Sequence, residues 1–149
     1  MSRDAAQALL LAASAIALSG MSPPPQGDIS VSITNMRSSE GVVRACITKN
    51  RRTFPNCRKD PDAMRRVVDA SESVTLTFTD VEAGAYAIAL LHDENDNGKA
   101  DRALGMMPKE GFGFSRDARV RMGPPSFDDA VFDFDGTGAA LTIRMRYML

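Results

Sequence analysis

The sequence predicts an all-β protein, a single Ig-like or transthyretin-like antiparallel β-sandwich with one long ordered loop segment. Three observations carry that prediction. Apolar and polar residues alternate with period two in several short runs, such as Ile29-Val31-Ile33 and Val74-Leu76-Phe78, the mark of half-buried strands. No long helical period follows the first twenty residues. Turn-forming Gly, Asp and Pro clusters separate the runs. The chain has 149 residues, 44% hydrophobic and 25% charged, proportions of one globular domain. A net charge of −1 lacks the basic bias expected of a nucleic-acid binder.

Taken in order, Ala5 to Leu18 is nearly unbroken apolar chain. Small residues at Ala17, Ser19 and Gly20 follow it. This reads as a signal peptide over residues 1–20, cut near Ser19 or Gly20. The run falls short of the ~20 residues a membrane span needs, so no span is expected after cleavage. A Pro-rich spacer covers 21–27 and the sandwich domain 28–149. Export implies a periplasmic or secreted protein. It also favours a disulfide between Cys46 and Cys57, the only two cysteines, because export compartments are oxidising.

Residues 29–34 form the first strand and 42–48 the second, with Val43, Ala45 and Ile47 on one face and Cys46 on the other. Lys49 to Arg66 is irregular and basic. Within it, Asp60-Pro61 predicts an N-cap and first helical residue, hence a short helix through Met64. Residues 73–79 alternate again. Gly84 and Tyr86 then form a tyrosine corner, in which the hydroxyl bonds back to nearby backbone. The strand 86–91 is apolar on both faces and so is predicted to be central. Residues 92–127 show no strand pattern, but Phe112, Phe114 and Phe127 argue for burial rather than disorder. Residues 130–134 and 141–147 complete the set.

The chemistry concentrates at the exit of the central strand. Asp93, Asn95, Asn97, the carbonyl of Lys99 and Asp101 occupy positions 1, 3, 5, 7 and 9 of a calcium loop, with Gly98 at position 6. A hard cation takes about six to eight oxygens in such a register, and Gly supplies the positive φ of the bend. Position 12 is Leu104 rather than an acid. Glu110 is the first candidate to complete the shell, followed by Asp128 or Asp129. Asn-Asp-Asn-Gly is also a good turn in its own right, with side chains bonding their own backbone.

Two other readings compete. A hydrolase could use His92 with a nearby carboxylate or Ser115, although no G-x-S-x-G elbow is present. The basic 49–66 loop could be an anion-binding adaptor, although charge runs are commonly solvated surface.

The ordered motifs AGAYAIALLHDENDNGKAD, LGMMPKEGFGFSRDA and GPPSFDDAVF resemble a bacterial family known as domain of unknown function 2141. The resemblance implies a secreted β-sandwich. Its motif positions fall on His92, Asp93, Asn95, Asn97, Gly98 and Asp101, on Pro108, Glu110, Gly111, Gly113, Phe114 and Ser115, and on Gly123, Pro124, Pro125 and Phe127. It departs at Met107 and Arg116, neither of them an oxygen ligand. A looser resemblance links the loop to calcium-binding transthyretin-like or Cna-B-like modules. The expectation is therefore a non-enzymatic, exported binding or structural module. A Ca²⁺-type loop at 93–101 would stabilise it, and it would act on an undetermined protein or cell-envelope partner.

Overall fold

The computed structural model describes residues 20–104 and 106–149; the predicted signal peptide falls almost wholly outside them. No helix among the described residues is long and apolar enough to cross a membrane.

Two sheets face each other. In one, β1 (Gln26–Thr34) lies between β4 (Val74–Glu82) and β10 (Ala139–Arg144). The β1–β4 pair is antiparallel, but β10 runs parallel to β1, which the expected all-antiparallel sandwich did not include. The second sheet has the order β3 (Met64–Asp69), β2 (Val42–Thr48), β5 (Gly84–Asp93) and β8 (Gly111–Phe114). β9 (Phe132–Phe134) pairs with Gly84–Tyr86 at the start of β5. A small hairpin joins β6 (Arg102–Ala103) to β7 (Met107–Pro108).

Alternation decides which side chains enter the core. Ile29, Val31, Ile33, Leu76, Phe78 and Ile143 from the first sheet meet Val43, Ala45, Ile47, Ile88 and Leu90 from the second. β5 is apolar on both faces, as its sequence required. Its other face is covered by a second cluster containing Phe54, Ala87, Phe112, Phe114, Phe127 and Ala130. Phe54 meets Phe114 and Phe127 edge-on, with ring centroids 5.9 and 6.0 Å apart, the geometry that aromatic quadrupoles favour. The tyrosine corner is present: the Tyr86 hydroxyl donates to the Glu82 carbonyl at 2.9 Å.

Three expectations are corrected. The helix expected at 60–64 is absent. A 3₁₀ turn, Cys57–Lys59, precedes Asp60, and Met64 opens β3. The Cys46–Cys57 disulfide brings this segment back to β2, whose free edge then takes β3 as a partner. Asp60 is buried and caps backbone and hydroxyls instead, accepting from Thr48, Thr53 and the Asp62 N–H. Second, the strand expected from Ala130 begins only at Phe132. A short helix, α1 (Phe127–Ala130), comes first, opened by a Ser126/Asp129 capping box that satisfies orphan N-terminal donors.

Third, the 92–127 segment does contain a strand of the main sheet. In β8, Phe112 and Phe114 lie opposite Leu91 and Ala89 of β5 and join the outer cluster. Gly111 and Gly113 alternate onto the inner side. A Cβ at Gly113 would come 3.0 Å from Ile143 Cγ2, and one at Gly111 would come 2.3 Å from the Tyr147 ring. Glycine on the inner face therefore admits the chain end closely, and it also removes the apolar alternation that would have announced a strand.

Two outcomes test this account. Replacing both Cys46 and Cys57 by Ala should lower unfolding free energy in urea by about 2–3 kcal/mol, the chain-entropy value for a loop of this size. Gly111→Ala should cost about 1–3 kcal/mol by overpacking against Tyr147, and the same substitution should cost less when made in a Tyr147→Ala background.

Candidate functional site: the clasp at the end of β5

β5 delivers His92 and Asp93 to one end of the sandwich, both fully buried. His92 Nε2 lies 2.9 Å from the Glu40 carbonyl and Nδ1 lies 2.8 Å from the Tyr147 hydroxyl. A carbonyl only accepts, so Nε2 carries a proton directed at Glu40, and Nδ1 shares a hydrogen bond with the tyrosine hydroxyl. The Tyr147 hydroxyl in turn accepts from the Arg37 N–H at 3.2 Å. The histidine thus ties three segments together.

Asp93 is the anchor of the loop. Arg44, opposite on β2, donates Nε to Asp93 Oδ2 at 2.6 Å and Nη2 to Asp96 Oδ1 at 2.5 Å. The Asn97 N–H donates to Asp93 Oδ1 at 3.1 Å and the Gly98 N–H to Oδ2 at 2.8 Å. Burial alone would push the Asp93 carboxyl up. Arg44 and the two backbone N–H groups outweigh burial and hold it below its ordinary value. Gly98 takes the expected positive φ of 74°.

The remaining oxygen residues converge. Asn95 Nδ2 and Asn97 Nδ2 each donate to Asp101 Oδ2 at 2.8 Å. Asn97 Oδ1 accepts the Lys99 N–H at 2.8 Å. Glu110 does reach the loop: its buried carboxylate accepts the Asp101 N–H at 3.1 Å. Burial, reinforced by Asp93 and Asp101 nearby, pushes the Glu110 carboxyl up. The second candidates do not reach it. Asp128 pairs with Arg51 and Asp129 caps α1. Among the described residues no three His, Cys, Asp or Glu side chains form a metal-type group; the protein's own N–H, guanidinium and amide donors occupy the loop oxygens.

A second ionic knot, not anticipated from the sequence, adjoins the clasp. Arg37 donates Nη2 to Glu94 Oε2 at 2.6 Å and to the Lys109 carbonyl at 2.7 Å, and it stacks 4.6 Å from the Tyr147 ring centre. Ser38 also donates to Glu94. Arg44 had left a legible trace: it is the only charge in the VVRACIT strand and alternates onto the same face as Cys46. Arg37 left none, because its partners lie 57 or more residues away.

The structure does not bring Ser115 to His92. Ser115 lies beyond Phe114, which faces Ala89, whereas His92 faces Gly111. At roughly 3.3 Å per residue the two are far apart along β5. The Ser115 hydroxyl donates to the Ala130 carbonyl at 2.5 Å and accepts the Ile88 N–H at 2.9 Å. In the basic 49–66 loop, Arg51 is paired with Asp128, Arg58 donates to the Gly98 carbonyl, and Arg65 donates to the Cys57 and Asp60 carbonyls. Arg66 donates to the Thr77 carbonyl, and Lys49 sits over the Tyr86 ring. Most of that charge is committed to intramolecular contacts.

The knot gives a pH signature. Arg37 hydrogen bonding, outweighing burial, lowers the Glu94 carboxyl from 4.5 to about 2. A carboxyl depressed on folding stabilises fully above its unfolded value and loses that contribution as pH falls through its folded value. The loss should amount to about 2–3 kcal/mol, spread from roughly pH 4.5 down to 2. Glu94→Gln should therefore flatten the acid limb of stability against pH, read from urea midpoints. An acid limb parallel to that of the wild type would refute the assignment.

No curated protein and no solved structure matches the chain. A family model described as "Uncharacterized protein conserved in bacteria (DUF2141)" matches residues 31–142. That span contains β5, the whole 93–101 loop, Glu110 and β8, so the chain belongs to the DUF2141 family.

Proposed function

We propose that the protein is an exported, non-catalytic β-sandwich module that binds or supports a cell-envelope partner. In this reading the 93–101 loop is a clasp that holds the 92–127 segment over one end of the sandwich. The clasp takes a calcium-type cation through Asp93, Asn95, Asn97, the Lys99 carbonyl and Asp101, with Glu110 as its supporting acid. The observation that carries the reading is the convergence of the Asn95 and Asn97 side chains on one Asp101 oxygen, each at 2.8 Å. An amide presents an oxygen on the opposite branch of the same planar group. A half-turn of each therefore replaces two donors by two oxygens at the same focus. The Cys46–Cys57 disulfide favours export, since such bonds persist in oxidising compartments.

A thermal melt of the purified protein tests the clasp. At about ten times the dissociation constant, calcium should stabilise by about 1.4 kcal/mol, a rise in midpoint of roughly 2–6 °C, reversed by chelator. Because extracellular modules bind calcium at about 10⁻⁴–10⁻³ M, the scan should extend through millimolar calcium. Asn95→Ala with Asn97→Ala, two exposed positions, should abolish the rise. A wild-type midpoint that ignores calcium would reject the metal reading.

A further inference from the structure

Much of the 49–66 loop's charge is engaged internally, and a second pair of cationic side chains stands at the end of β10. β10 ends at Arg144, and the chain continues through Met145 and Arg146. Met145 is fully buried, so alternation turns Arg144 and Arg146 outward. Their backbone is held from three directions. The Arg144 N–H donates to Asp117 Oδ1 at 2.9 Å, and the Met145 N–H donates to the Thr34 carbonyl at 2.8 Å. Arg146 exchanges both backbone hydrogen bonds with Phe112, at 2.8 and 3.0 Å. The two side chains thus project from a rigid base. Arg146 Nη2 makes one 3.2 Å contact to the Asp117 carbonyl. Among the described residues, the Arg144 guanidinium makes no hydrogen bond or ion pair.

Beside them lies a cavity of about 490 Å³ lined by Asn35, Phe112, Val120, Arg144, Arg146 and Met148, with Met145 and Tyr147 behind. That size falls within the range of roughly 300–1,000 Å³ typical of small-molecule sites. Among the described residues no carboxylate lines it. Asp117 lies close by in the chain fold, its Oδ1 accepting the Arg144 N–H. A guanidinium is weakly hydrated and presents a planar fork matched to carboxylate and phosphate oxygens. The rest of the lining is mixed: half-buried Val120 and Met148, which is 42% exposed, offer apolar atoms beside Asn35, while Phe112 is largely buried.

We propose that this cavity binds a small amphiphilic anion, with one carboxylate or phosphate group between Arg144 and Arg146 and a short apolar body against Val120 and Met148. The site is distinct from the clasp and does not rest on the calcium reading.

The test is an amide NMR titration of the purified protein with octanoate, octyl phosphate, inorganic phosphate and octylammonium. Octanoate or octyl phosphate should shift the Phe112, Val120 and Arg146 amides saturably, and the tighter of the two identifies the head group. Arg144→Gln with Arg146→Gln should weaken that binding at least tenfold. Arg144→Gln alone, at a side chain with no internal bond to lose, should weaken it severalfold while the β2 and β5 amides stay in place. Equal binding of octylammonium would overturn the proposal. So would inorganic phosphate matching octyl phosphate, or wild-type affinity in the double variant.

Discussion

A full negative charge at a site without solvent exposure is the constraint around which one end of this molecule is built. Asp93 could not remain ionised there alone, since a buried unpaired carboxylate is strongly disfavoured. Arg44 meets it across the β2–β5 pair at 2.6 Å, and two backbone N–H groups of the loop complete its shell. Removing one partner of such a buried pair typically costs about 3–5 kcal/mol, because the other charge is left stranded. The N–H groups that satisfy Asp93 belong to Asn97 and Gly98, so satisfying the charge also sets the path of the loop. Asp101, Glu110 and the small hairpin follow from that path. The clasp is thus electrostatic first and geometric second.

The neighbouring knot of Arg37, Glu94, Tyr147 and His92 extends the same logic to the chain end. Each member is shared. His92 links β5 to Glu40 and Tyr147, and Arg37 links Glu94 to the Lys109 carbonyl and the Tyr147 ring. Among the described residues no buried side-chain nitrogen or oxygen lacks a partner, as expected when unsatisfied polar groups are costly. A lone histidine beside acids invites a catalytic interpretation. Here both ring nitrogens are engaged, one with the Glu40 carbonyl and one with the Tyr147 hydroxyl.

β5 explains why the protein needs its long Gly- and Phe-rich segment. A strand with Ile88 and Leu90 on one face and Ala87, Ala89 and Leu91 on the other must be covered twice. The opposite sheet covers the first face. Phe112, Phe114, Phe127 and Phe54 cover the second. The 92–127 segment supplies most of that second layer, and the disulfide-tied loop supplies Phe54. The same segment forms the wall of the Arg144–Arg146 cavity, so one covering layer supports both the clasp and the candidate ligand site.

The residues alone determined the strands that alternate, the central place of β5, the tyrosine corner and the turn at Gly98, because each depends on local period or on a single backbone preference, and the cysteine pairing, because there are only two cysteines. They also named the residues that converge at 93–101, whose spacing is local. Tertiary structure decided what spacing could not encode. β3 is formed where Met64–Asp69 pairs with the open edge of β2, a segment the disulfide ties back to that strand. β8 exists because glycine alternates with phenylalanine, so its inner face reads as empty until Tyr147 and Ile143 are seen filling it. Arg44, Arg37 and Arg144 acquire their roles from partners, or from the lack of them, far along the chain. Local period reports which face of an element is apolar; only the folded arrangement shows which charge stands opposite which.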